Sequence, residues 1–353
     1  MRESLILWGL CLAVILVPAI QASTFADQPK SKQKTNPPSL DELAKPWNSE
    51  GDVPWQVAEI LGTTSKAAYL DAKDARTEFR KIGFDNVTSV VAGSMVLYVL
   101  TKVRLTVLVF RGTDDLDDWL VNLKVKSRKV DGGYIHTGFY DAYQTLRSKL
   151  RAALKDADPE HLWITGHSLG GALAVVCAHD LGQAKIDVDG VVTFGQPMVA
   201  KKDLARFLSQ RLSKHYARFV NNADIVPRIP PPYSHFGSLV WFRPGGVSRS
   251  KGNAADVTNE HDDADRRPSG PPPLTQEEFR DLQRRIREAR ADRTDPRPVL
   301  EKLEFPPIDD HGMDRYLEQI KRRGVPDSSK KPSLPPLPRP PLIPKPPSLP
   351  KIE

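Results

Sequence analysis

Gly166-His167-Ser168-Leu169-Gly170 carries the pattern G-x-S-x-G. A serine at that spacing can act as a nucleophile. The flanking glycines allow a sharp turn that lifts the hydroxyl above a sheet. Trp163-Ile164-Thr165 reads as the strand entering the turn, and Gly171 to Leu181 as the helix leaving it. The helix N-terminus behind Ser168 favours developing negative charge. A purely structural Gly-rich turn is the plainer reading, and the strand and helix on either side argue against it.

A neutral serine needs a base, and the base needs an orienting carboxylate. On a strand-turn-helix nucleophile the chain order is Ser, then Asp or Glu, then His. The histidines beyond Ser168 are His179, His215, His235, His261 and His311. His179 lies in the helix directly after the nucleophile and cannot turn back onto it. His215 precedes a strand at its far end. His235 enters a strand as a structural histidine, and His261 sits in a charged stretch that holds no rigid geometry. His311 precedes a short amphipathic helix, Met313 to Ile320, and is the candidate base. The candidate acid is Asp224, on the loop after Tyr216–Val220. The plainer reading of Asp224 is a turn-forming residue.

An oxyanion needs two donors. The N–H of Leu169 is one. Thr113, where Phe110-Arg111-Gly112 leaves the apolar strand Leu105–Phe110, is the other, or else an ordinary N-cap threonine. Leu116, Trp119, Leu120 and Leu123 then recur at i, i+3, i+4 and i+7. They make an amphipathic helix beside the oxyanion site. It is either a movable lid or a fixed surface helix.

These side chains need a rigid frame. Val57 to Ile82 reads as helical, and Val87–Val91, Met95–Leu100 and Val191–Phe194 as strands. LTVLVF at 105–110 is a nearly continuous apolar run, as in strands buried on both faces. Strands alternating with helices give an α/β fold, a doubly wound, mostly parallel sheet flanked by helices.

The chain has 353 residues, enough for one sizeable domain with appendages. Arg2 and the apolar run Leu5 to Ile20 read as a signal peptide over 1–22, for a secreted or periplasmic protein. The run is short beside the ~20 residues of a membrane span, so no integral span is expected after cleavage. Residues 23–50 read as a polar linker, 51–325 as the catalytic domain with a charged insertion at about 244–298, and 326–353 as a Pro-rich tail. Within the insertion, 244–275 reads as a long loop, and Gln276 to Arg293 as a solvated surface helix. Of the two cysteines, Cys11 leaves with the signal and Cys177 reads as a small buried hydrophobe. The net charge of +7 is mixed along the chain without an aromatic-interleaved basic patch, which excludes nucleic acid as the expected partner.

The runs VFRGTDDLDDWL, HTGFYDAY (136–143), WITGHSLGGALA, VVTFGQPMVA, VNNADIVPRIPP and DHGMDRYL, in that order from about 55 to 320, resemble the class 3 lipase family. The resemblance implies an α/β-hydrolase that cleaves acylglycerols or related carboxylic esters. It places the nucleophile on Ser168, the acid on Asp224, the base on His311 and the oxyanion donor on Thr113, with a structural role for His136. No metal or organic cofactor is implied. The expected partner is a lipid or ester substrate, at a lipid–water interface if a lid gates the site. A phospholipase or feruloyl-type esterase would use the same triad. A non-catalytic binding protein on a hydrolase scaffold is the alternative of another class. The enlarged stretch between Asp224 and His311, and the Pro-rich tail, depart from the family pattern.

Overall fold

The computed structural model describes residues 38–45, 47, 52–212, 215–250, 270–292, 294, 299 and 306–324. The expected signal peptide, most of the linker, His261 and the Pro-rich tail lie outside these residues.

Strands β1 (Asn86–Ala92), β2 (Met95–Lys102) and β3 (Leu105–Phe110) form an antiparallel meander. Two-residue links join them, and such short links permit only antiparallel pairing. From β3 the sheet continues parallel through β6 (His161–His167), β7 (Gly190–Phe194), β8 (Tyr216–Asn221) and β9 (Ser238–Arg243). The hairpin strand β10 (Gly246–Ser250) closes it, giving the order β1-β2-β3-β6-β7-β8-β9-β10. A separate ribbon joins β4 (Ser127–Val130) to β5 (Gly133–His136). The sheet is parallel at its centre, as expected for an α/β-hydrolase, and antiparallel at both ends.

Helices cover both faces. All six residues of β3 are buried, and successive side chains serve opposite cores because strand side chains alternate. Val107 and Val109 face a core shared with α1 (Trp55–Ala67), α2 (Ala72–Ile82) and α8 (Met313–Gly324), the last helix among the described residues. Leu108 and Phe110 face one shared with α4 (Thr137–Ala157), α5 (Leu169–Gln183) and α6 (Lys202–Leu212). α3 (Leu116–Asn122) and α7 (Gln276–Ala291) add Leu120, Phe279, Leu282 and Ile286 to this second core.

Four expectations change. The helix read over Val57–Ile82 is two helices, because Asp71 caps α2 by accepting the N–H groups of Lys73 and Asp74 at 3.0 Å each. The stretch read as a polar linker is ordered in part. Leu40–Ala44 forms a 3₁₀ turn with Leu40 and Leu43 buried, and Trp47 stacks on Trp163 at 5.9 Å. The stretch read as a long loop from 244 begins with β10, and the helix read as solvated is not free. Phe279, Leu282 and Ile286 are spaced to form one apolar stripe, and they are buried in α7.

Candidate active site

The G-x-S-x-G turn that carries the candidate nucleophile joins β6 to α5. Ser168 itself takes the strained backbone, at φ 57° and ψ −127°, a region that costs about 1–3 kcal/mol and persists only when its surroundings enforce it. The glycines have another task. A Cβ on Gly166 would lie 2.4 Å from the Gly170 carbonyl oxygen, and one on Gly170 would lie 2.1 Å from that of Phe110. They let α5 start almost in contact with β6 and the end of β3. Ser168 is 1% exposed, and its N–H donates to the Phe194 carbonyl at 2.9 Å.

The candidate acid and the candidate base come from loops far apart in sequence. Asp224 follows β8 and is fully buried. His311 ends the 3₁₀ turn Pro306–His311, just before α8. His311 Nδ1 lies 2.8 and 3.0 Å from the two carboxylate oxygens of Asp224. A nitrogen facing a carboxylate at those distances carries the proton, which leaves Nε2 as a free acceptor. Asp224 Oδ1 also accepts the Val226 N–H at 2.9 Å, and Oδ2 accepts the Tyr316 hydroxyl at 2.5 Å. Burial, with the Asp224 charge beside it, holds the Tyr316 phenol well above its ordinary value. Tyr316 is therefore a donor at every working pH.

Several supporting residues had no motif to announce them. Asp310 ties the base loop to the acid loop: its carboxylate accepts from Asn222 Nδ2 at 2.8 Å and the Ala223 N–H at 3.2 Å, and its carbonyl accepts from Asn221 Nδ2 at 2.9 Å. The only available signal was the pair of asparagines before Ala223-Asp224. His167 Nε2 donates to the His311 carbonyl at 2.7 Å, and its Nδ1 accepts from the Tyr69 hydroxyl at 2.8 Å. Burial, reinforced by neighbouring His311, holds His167 well below the ordinary histidine range, so it is neutral. Gly195 forms the floor at φ +56°. A Cβ there would sit 2.9 Å from His311 Nδ1 and 3.0 Å from Asp224 Oδ2.

Ser168 Oγ and His311 Nε2 are both buried without a hydrogen-bond partner. The serine–imidazole bond is not closed in this state, and such bonds often tighten only around substrate.

The loop after β3 abuts the nucleophile turn on both sides of Ser168. A Cβ on Gly112 would lie 2.8 Å from the His167 carbonyl oxygen. The Thr113 hydroxyl accepts the Asp115 N–H at 3.2 Å, which fixes the loop as it enters α3. Leu169 is the first residue of α5, so its N–H has no intrahelical acceptor. Leu120 and Leu123 of the candidate lid are buried, while Leu116 and Trp119 pack against the core in part. Trp119 stacks on Phe139 at 6.2 Å. Trp119 also lines a largely apolar cavity of about 500 Å³, together with Met95, Leu123, Phe139 and Leu169. His136 lies beside it and caps α4 by accepting the Phe139 N–H at Nδ1, 3.3 Å away.

Among the described residues, no group of three or more His, Cys, Asp or Glu side chains is placed to hold a metal ion. No helix among them is long and apolar enough to cross a membrane.

The sheet, its two helical faces and a strained serine between β6 and α5 define the α/β-hydrolase fold. Residues 107–234 match the family described as Lipase (class 3), which bears out the resemblance read from the sequence. That span holds Ser168 and Asp224 and ends before His311. Over 149 residues the chain is 34% identical to a lipase of Rhizomucor miehei, covering 38% of this chain and 41% of that protein. It is 32% identical over 149 residues to secreted mono- and diacylglycerol lipase 1 of Fusarium solani, covering 39% and 44%. It is 38% identical over 114 residues to triacylglycerol lipase OBL1 of Nicotiana tabacum, covering 29% and 20%. The chain thus spans less than half the length of each of these relatives. The solved triacylglyceride lipase of Rhizomucor miehei superposes with a TM-score of 0.49 at 24% identity, covering 59% of this chain and 92% of that one.

Proposed function

We propose that the chain is an exported serine hydrolase that cleaves carboxylic esters of acylglycerols through a Ser168–His311–Asp224 triad. One observation carries the reading. A buried Asp224–His311 pair leaves His311 Nε2 unpartnered, in the same site as a strained, unpartnered Ser168 Oγ.

His311 Nε2 takes the Ser168 proton as Oγ attacks the ester carbonyl carbon. The N–H groups of Thr113 and Leu169 stabilise the oxyanion, and Asp224 holds the imidazolium in place. His311 then gives the proton to the leaving alcohol oxygen as the ester C–O bond breaks. Water, deprotonated by His311, attacks the acyl-enzyme and releases the acid and Ser168. The cavity lined by Trp119 takes the acyl chain, and α3 is its cover. The apolar run Leu5–Ile20 supports export, and the secreted mono- and diacylglycerol lipases among its relatives point the same way.

Ser168→Ala tests this directly. Ester hydrolysis should fall at least about a thousandfold with folding intact; retained activity would sink the assignment. A panel of monoacyl-, diacyl- and triacylglycerols, phospholipids and feruloyl esters then ranks substrates. A serine-directed phosphonate that labels the wild type but not Ser168→Ala excludes a non-catalytic scaffold.

A further inference from the structure

Helix α7 lies in the enlarged stretch between acid and base, and it is anchored at both ends. At its start the Leu274 N–H donates to the Arg228 carbonyl at 2.9 Å, and Arg228 Nε donates to the Pro272 carbonyl at 2.8 Å. Arg228 closes the 3₁₀ turn Val226–Arg228, whose first N–H is bound to Asp224. A reciprocal cap between Thr275 and Glu278 fixes the first turn.

The far part of α7 grips α3. Gln283 Nε2 lies 2.9 Å from the Leu120 carbonyl, 3.2 Å from that of Val121 and 3.1 Å from that of Leu123. Three carbonyls around one atom identify it as the amide nitrogen, whose two N–H groups are shared among them. These carbonyls belong to the last turn of α3 and to Leu123, its C-cap, where a helix leaves its carbonyls without internal donors. Arg290 Nη1 adds an ion pair to Asp118 at 2.7 Å. α3 has only seven residues, too few to be stable in water alone. Its shape and place depend on such partners. The same helix carries Trp119, which lines the apolar cavity together with Leu169 of the nucleophile turn proposed above.

We propose that α7 is a latch on α3. Gln283 is the positioning residue that keeps the Trp119 face closed over the acyl cavity, so access requires breaking its bonds to the end of α3. This rests on the reading of α3 as the cover of an ester-hydrolysing site, and it adds a restraint supplied by the chain's own insertion.

Two readouts test it. In the Ser168→Ala background, Gln283→Met keeps the side-chain length and removes the donor. Amide hydrogen exchange over 116–123 should speed up by about tenfold or more, with α4 and α5 unchanged. With Ser168 intact, rates are measured on a short-chain ester below and above its aggregation point. Gln283→Met should raise the rate on the monomeric ester and shrink the jump on aggregation about threefold or more. Gln283→Lys, which keeps a donor of similar reach, should behave as wild type. Unchanged exchange at 116–123 overturns the latch, and so does faster exchange with an unchanged jump. If the wild type hydrolyses neither form of ester, the ester-hydrolase reading fails, and exchange alone still decides whether Gln283 holds α3. Should Gln283→Met not fold, Arg290→Ala is judged by the same two readouts.

Discussion

Asp224 has no exposed surface, and its two oxygens receive His311, Tyr316 and the Val226 N–H. Removing one donor leaves a buried charge less well held. Tyr316→Phe should cost about 1.5–3 kcal/mol of stability, the range for a bond to a charged group. It should also lower kcat by about tenfold with KM little changed, since Tyr316 acts through Asp224. Steady-state kinetics with thermal melts check both. Histidines set the acid limit. Burial holds His136 down at about 4, against 6.5 for a free histidine. Between those values the unfolded chain binds the proton and the folded chain does not. Stability therefore rises with pH across that window, and is lost as pH falls from about 6.5 to about 4, by up to about 1.4 kcal/mol per unit. His167 and His235 are displaced in the same direction by burial. Urea midpoints at pH 7 and 4.5 should differ less in His136→Asn, which keeps the helix cap.

At the scale of elements, the nucleophile turn depends on backbone contact. Gly170→Ala would drive a Cβ against the Phe110 carbonyl oxygen, and backbone cannot yield as a flexible side chain can. A loss above about 3 kcal/mol is expected, read from chemical denaturation. The elements were legible wherever composition was unambiguous. β3 is apolar at nearly every position, and α5 is rich in Ala and Val. α7 was harder. Its charges outnumber its apolar residues, and the stripe of Phe279, Leu282 and Ile286 shows its value only once a neighbouring core is present to receive it. The pairing of Asp224 with His311 could be read from chain order. The bracing by Asp310 and Tyr316 could not, because it exists only after two loops 87 residues apart have met.

At the scale of the molecule, the described residues form two apolar cores either side of one sheet, and Cys177 sits deep in one of them. Burial pushes its thiol up and keeps it protonated. In protein lacking residues 1–22, a thiol reagent should label nothing in the folded state and one group after denaturation. Labelling under native conditions would show that the core opens.

Trp119 is the one tryptophan of α3, and it rests on the ring of Phe139. The molecule thus carries its own optical gauge. Swinging α3 toward water would strip Trp119 of that ring and expose the indole. Its emission would move to longer wavelength, while Trp163, pinned by its N–H to the Leu43 carbonyl at 2.7 Å, would stay dark to the change. Subtracting the spectrum of Trp119→Phe isolates that signal. If α3 is the cover proposed above, the rate at which the signal appears on mixing with lipid times its opening without any chemistry taking place.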